Sequence, residues 1–199
     1  MYYLSSIALI FLSATSALSS PASVDSPPDA VQSYGAVNTI GLNGSGCPPG
    51  SWTTTLSTDR SSVSAVFSQF TPSVSLQSFR QNCQATIAVT VPSGKKFTVD
   101  SVKYNGYAQL ESKANVVHSA TAYFQAQSDQ SSASATLNGP ITKSVDLSNS
   151  FSKYIWSQCG ATSVIVNVDI SIYLDASDGA DGFASVDDAK FGPFKLQDC

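Results

Sequence analysis

The chain has 199 residues, of which 42% are hydrophobic and only 12% charged. The charged share is about half the usual quarter, and Ser and Thr supply polarity instead. A formal net charge of −4, with no basic cluster beyond Lys95-Lys96, argues against nucleic acid or an anionic membrane as partner.

Residues 1–22 read as a signal peptide. Ile7 to Leu12 is a short apolar run followed by small residues, with cleavage expected at about 17–22. The run is too short to span a bilayer. Residues 23–45 are rich in Ser, Pro, Gly and Asn, and read as a flexible leader. Within it, Asn43-Gly44-Ser45 is the only N-glycosylation sequon. The folded domain is expected over 46–199.

Trp52, Thr54 and Leu56 alternate with Thr53 and Thr55, as in a strand. Thr58 to Ser61 is a turn, and Val63 to Phe70 a second strand, so the pair reads as a hairpin. Residues 71–82 read as a polar connection. Ala85, Ile87, Val89 and Val91 then share one face of a strand that Pro92-Ser93-Gly94 stops. Phe97 to Leu110 is strand-like, with a turn or bulge signal at Asn105-Gly106. Ala114 to Gln127 alternates again, and the Ser-rich stretch 128–135 reads as a loop. Ile141, Val145 and Leu147 mark another strand, and Phe151 to Trp156 leads into Cys159.

The clearest pattern runs from Val164 to Asp175, where six aliphatic residues fall on one face. Burying them at about 2 kcal/mol each makes this strand a main core element. Residues 176–189 read as an Asp- and Gly-rich loop, and Phe191 to Leu196 as a last strand. No segment shows a helical period. Eight to ten strands predict an all-β fold, a single antiparallel, jelly-roll-like β-sandwich.

Cys47, Cys83, Cys159 and Cys199 form two bridges in an exported chain, with three pairings open. The local pairing, Cys47 with Cys83 and Cys159 with Cys199, is the expected one. Each bridge then closes a loop of about 40 residues, worth roughly 4 kcal/mol in the chain-entropy picture.

Candidate chemistry is sparse. Asp175, Asp178 and Asp181 in a Gly-bearing loop offer hard oxygen ligands for calcium. Their spacing of three is not that of an EF-hand, and no bidentate Glu follows, so no cofactor is the main expectation. His118 is the only histidine and Glu111 the only glutamate. A Ser-His-Asp set is open in composition, but no G-x-S-x-G elbow supports it, and no catalytic residue is assigned. Trp52, Tyr104, Tyr107, Tyr123, Tyr154, Trp156 and Tyr173 could stack on sugar rings, with Trp52, Tyr104 and Tyr107 the leading candidates, against the competing expectation that aromatics bury.

Four motifs occur in order: Gly46-Cys47-Pro48-Pro49-Gly50-Ser51, Arg80-Gln81-Asn82-Cys83-Gln84, Val91-Pro92-Ser93-Gly94 and Tyr104-Asn105-Gly106-Tyr107-Ala108-Gln109-Leu110. Trp156-Ser157-Gln158-Cys159-Gly160 and a closing Cys199 follow. Over about residues 46–199 the chain resembles domain-of-unknown-function family 4360, small secreted proteins of fungi and some bacteria. It differs from the family in Gln81, where Lys is common, and in Phe194, where many members have Trp. The resemblance implies secretion and two disulfides, and carries no activity. The expected function is therefore a secreted, non-enzymatic module that binds extracellular glycan or cell wall, or acts in host interaction. The alternative is a hydrolase of extracellular polymers using Asp and His118.

Overall fold

The computed structural model describes residues 36–75, 79–176 and 179–199, and among them the chain forms strands and no helix. The expected signal peptide, most of the leader and Asp178 lie outside the described residues.

Chain order gives β1 (Ala36–Asn43), β2 (Trp52–Leu56), β3 (Val63–Phe67), β4 (Ser73–Ser75) and β5 (Phe79–Thr90). Then come β6 (Lys95–Val99), β7 (Ser101–Leu110), β8 (Asn115–Phe124), β9 (Gln130–Asn138) and β10 (Ile141–Ser150). The last are β11 (Ser163–Asp175), β12 (Asp181–Phe191) and β13 (Phe194–Asp198). One sheet has the order β1-β5-β11-β8-β9 and is called sheet A here. Sheet B has the order β10-β7-β12-β3-β2, with β4 paired to β12. A two-stranded ribbon joins β13 to β6. All pairings are antiparallel, and the two sheets pack as the expected sandwich.

The core follows from alternation. Ala85, Ile87 and Val89 of β5 and Val166, Val168, Ile170, Ile172 and Leu174 of β11 are all fully buried. These two strands pair from Phe79 through Thr90, which sets the centre of sheet A. Both expected disulfides form: Cys47 with Cys83, and Cys159 with Cys199. The first ties the segment after β1 to β5, and the second ties the C-terminus to the segment before β11. The turn between β2 and β3 closes on Asp59, which accepts hydrogen bonds from Ser57 Oγ at 2.7 Å and from the Ser61 N–H at 3.0 Å. The Ser57 hydroxyl, with help from Ser61, holds the Asp59 carboxyl down at about 2.

Five expectations are corrected. The leader is already strand from Ala36, where β1 pairs with β5. Its apolar residues escape a period-two reading because the register shifts between Val37 and Thr39, so Val37, Ile40 and Leu42 are spaced three and then two. The polar connection 71–82 contains β4 and the start of β5. The Ser-rich loop 128–135 is mostly β9, an edge strand of alternating Ser and Ala that turns its small residues inward.

The fourth correction concerns β12. The expected Asp- and Gly-rich loop 176–189 contains most of this strand, which lies between β7 and β3 in sheet B. Ala184 and Val186 are buried, then Ala189 and Phe191, because the register slips between Val186 and Asp188. One extra residue, Asp187, reverses the phase and hides the alternation. The fifth concerns Asn105-Gly106. β7 runs straight through that pair, and the bulge sits opposite it, on β12.

Candidate functional site

On sheet A the residues that alternate with the core ones face away from sheet B. In antiparallel pairing, directly opposed residues share a face, so the register assembles them into rows. One row holds Asn43, Gln84, Asp169, Thr121 and Ser132. The next holds Gly41, Thr86, Asn167, Tyr123 and Gln130. On the other side lie Asn82, Ser171, Ser119 and Ser134. Arg80 and Tyr173 pair beyond them.

These side chains are tied to one another. Asn167 Oδ1 accepts from Gln84 Nε2 at 3.2 Å and from Thr86 Oγ1 at 2.9 Å. Asn82 Nδ2 donates to Asp169 Oδ1 at 3.3 Å, and Arg80 Nη2 to Ser171 Oγ at 3.2 Å. Thr121 and Ser132 share a hydrogen bond of 3.0 Å. Asn167 is only 7% exposed although it points away from the core, because its neighbours close around it. The amides are thus held in position before any ligand arrives, which lowers the cost of ordering them on binding. Asp169 and Arg80 are the only charged residues in these four rows.

One cleft opens on this sheet and a second between its edge strand β9 and the end of β10 in sheet B. The first, of about 470 Å³, is lined by Gly41, Asn43, Gly44, Asn82, Gln84 and Thr86, with Leu42 behind them. Its floor is open at Gly41, where an added Cβ would meet nothing within 4 Å. The other, of about 570 Å³, is lined by Ser and Thr hydroxyls of β8 and β9, two alanines, and Ser150 and Ser152. Both volumes fall in the range of small-molecule sites. The chemistry on offer is a lattice of neutral donors and acceptors beside a tyrosine ring.

Apart from Asn43, which lines the first cleft, and Tyr123 and Tyr173, which stand in the rows, the residues expected from the sequence lie elsewhere. Tyr104 is 1% exposed, inside the sandwich, with its hydroxyl donating to the Ser119 carbonyl at 3.3 Å. Burial pushes its ionisation up. It cannot stack on a ligand, which corrects that expectation. Trp52 lies half-buried on the sheet B edge strand β2, packed against the core, with its indole N–H buried and without a partner. Tyr107 is half-buried on the outer face of sheet B beside Phe183, ring centroids 6.4 Å apart.

His118 is 1% exposed and faces the core from β8, 5.7 Å from the Tyr104 ring. Neither ring nitrogen has a hydrogen-bond partner, and burial holds its pKa down at about 4. With no carboxylate bonded to the ring, the geometry of a His–Asp pair is missing. Asp175 ends β11 and Asp181 begins β12. Among the described residues no group of three or more His, Cys, Asp or Glu is placed to hold a metal ion. Asn43 is exposed at the end of β1.

A separate cluster sits by the β6–β13 ribbon. Asp100 accepts from Lys195 Nζ at 2.8 Å and from the Tyr154 hydroxyl at 2.9 Å. Burial would raise the Asp100 pKa, but these two donors outweigh it and hold it below the ordinary value. Lys96 lies 5.4 Å from the Trp156 ring, and Lys195 5.0 Å from the Tyr154 ring. Lys95 pairs with Asp198 across the ribbon. These contacts satisfy one another beside a ribbon that is held by its backbone pairing and by the buried Phe97 and Phe194 rings.

Asn82, Gln84 and Asn167 carry no functional signal of their own in the sequence, whereas Tyr123 is one of the aromatics expected to be able to stack on sugar. The three amides are present there only as the polar half of two alternating strands. What the sequence lacks is the register that lines them up.

A family model described as a domain of unknown function, DUF4360, matches residues 35–197. An uncharacterized secreted protein from Arthroderma benhamiae is 34% identical over 157 residues, which cover 76% of this chain and 62% of that protein. The chain therefore spans under two thirds of that relative's length. Among solved structures, TmCBM61 in complex with β-1,4-galactotriose is 13% identical, with a TM-score of 0.27 over 83% of this chain and 92% of that one. A family 11 carbohydrate-binding module from Clostridium thermocellum, in complex with a β-1,3-1,4-mixed-linked tetrasaccharide, is 11% identical, with a TM-score of 0.25 over 78% and 95%. At such scores neither superposition bears on this chain's ligand. The match over nearly the whole described region, starting where β1 starts, places the chain in the DUF4360 family.

Proposed function

We propose that this chain is a secreted, non-enzymatic module that binds neutral extracellular glycan on the outer face of sheet A. The observation that carries the reading is Asn167, which is nearly buried and anchors Gln84 and Thr86 next to Tyr123. Sugars present hydroxyls that both donate and accept, and weakly apolar ring faces. A prearranged set of neutral amides and hydroxyls beside an aromatic ring suits that chemistry. A charged ligand would meet little countercharge here. Two disulfides fit an oxidising compartment, and among the described residues no helix is long and apolar enough to cross a membrane.

The test is an array of neutral and acidic oligosaccharides, followed by titration of the best neutral one. Tyr123→Ala and Asn167→Ala are each expected to weaken binding about tenfold, the loss of roughly 1.4 kcal/mol. Tyr107→Ala, on the opposite sheet, is expected to leave affinity within twofold. If Tyr107→Ala abolishes binding and Tyr123→Ala does not, the ligand face is sheet B. If no neutral glycan binds, the reading is wrong.

A further inference from the structure

The sequon Asn43-Gly44-Ser45 ends β1 at the rim of the cleft just described. Asn43 is exposed and opposite Gln84 in register, so its side chain shares the face of the Gln84 row. The next two residues are pressed onto β5. A Cβ on Gly44 would lie 2.3 Å from the Asn82 carbonyl oxygen, so only glycine fits. Ser45 Oγ accepts from the Asn82 N–H at 3.1 Å and donates to Asn82 Oδ1 at 3.3 Å. The attachment point is therefore fixed relative to the cleft.

We propose that Asn43 carries an N-linked glycan that folds over the cleft at Gly41, Asn82 and Gln84 and masks it, so that this chain's own glycosylation sets how open the face is to a ligand. The masking rests on the reading of the face as a site for neutral glycan. The donor is an oligosaccharide linked to a polyprenyl diphosphate. The Asn43 amide nitrogen forms a bond to the anomeric carbon, the carbon–oxygen bond to diphosphate breaks, and the polyprenyl diphosphate leaves. The amide gives up one proton to the transferase. The product is a neutral polyhydroxyl chain, the same chemistry that the face is built to hold. Its tether is a single side chain, so its effective concentration at the cleft is of millimolar order. A free neutral oligosaccharide of similar intrinsic affinity must displace it. Competition of that kind lowers apparent affinity about tenfold without altering a contact.

The test uses the full chain secreted from a host that performs N-glycosylation. Intact mass, with Asn43→Gln and Ser45→Ala as two independent ways to remove the sequon, shows whether one glycan is present. The neutral oligosaccharide chosen from the array is then titrated into the glycosylated chain, into that chain trimmed to one sugar, and into both variants, the trimmed chain being the comparison that leaves the cleft lining unchanged. The expected results are one glycan, lost in both variants, and binding about tenfold tighter without it. The side-chain amide NMR signals of Asn82 and Gln84 are expected to differ between the glycosylated chain and the same chain trimmed to one sugar; Ser45→Ala is not used for this comparison because Ser45 hydrogen-bonds Asn82 directly. No glycan at Asn43 overturns the proposal. So does equal binding by all forms, or trimming that leaves the Asn82 and Gln84 signals in place, even while the face keeps its ligand. A glycan-free chain that binds no neutral oligosaccharide overturns the reading of the face, and masking falls with it.

Discussion

Gly106→Ala is expected to cost more than about 4 kcal/mol in equilibrium unfolding, a loss that few single substitutions reach. A Cβ at Gly106 would lie 2.1 Å from the Ser185 carbonyl oxygen and 2.9 Å from its carbon. Both are backbone atoms of the neighbouring strand β12, so no rotamer change relieves the clash. Gly106 opposes Val186 at the point where the bulge shifts the β12 register, so the missing Cβ is what lets the two backbones meet there. Sheet B must open or the bulge must move, and either exposes Val186 and Ala184. Gly41→Val is the matched control. Its Cβ would meet nothing within 4 Å, and valine suits a strand. It is expected to change stability by less than about 1 kcal/mol while filling the cleft and weakening neutral-glycan binding. Similar denaturant midpoints for Gly106→Ala and the parent chain would sink the account of the bulge.

The second large effect is a loss of stability on acidification, from one residue. Burial lowers the His118 pKa from 6.5 to about 4, so the folded chain holds the ring neutral where the unfolded chain protonates it. Between those values the unfolded state binds more protons, and stability must fall as pH falls. The contribution is complete above about pH 6.5 and lost by about pH 4, amounting to roughly 3 kcal/mol. The groups packed around the ring do not offset it. Tyr104 faces it from β7, and its own burial keeps it un-ionised. Ile172 of β11 and Ala135 of β9 flank it in register, and Asn149 of β10 donates to its backbone carbonyl, not to the ring. Asp59 and Asp100 both have pKa values below 3.8, so the stability they lend is lost below that window. Unfolding free energies between pH 7 and pH 4.5, compared with those of His118→Leu, check the assignment. The variant is expected to be nearly flat over that range. Equal slopes in the two proteins would remove His118 as the cause.

His118 also shows how far a residue type can mislead. A lone histidine in a Ser-rich chain invites a catalytic reading. Its place on β8, in phase with Val116, Ala120 and Ala122, already pointed inward, and those three are buried with it. Tyr104 and Tyr107 make the same point as a pair. They share one strand three residues apart, so period two sends one into the core and leaves the other on the outer face.

By itself the sequence determined that the chain is all-β and that β5, β8 and β11 each bury one face. Those features are local: β-branched alternation is readable without a partner strand. Which of the three cysteine pairings forms was decided by the fold, which brings Cys47 to Cys83 and Cys159 to Cys199. Tertiary structure alone decided that β12 is a central strand, that β1 and β9 extend sheet A, and that Asn43, Gln84, Asp169 and Thr121 stand in one row. Bulges at Asn38 and Asp187 break the alternation that a sequence reading relies on. Register comes from hydrogen bonds to residues far along the chain, as between Gln84 and Asp169, so the polar face exists only once the strands have paired.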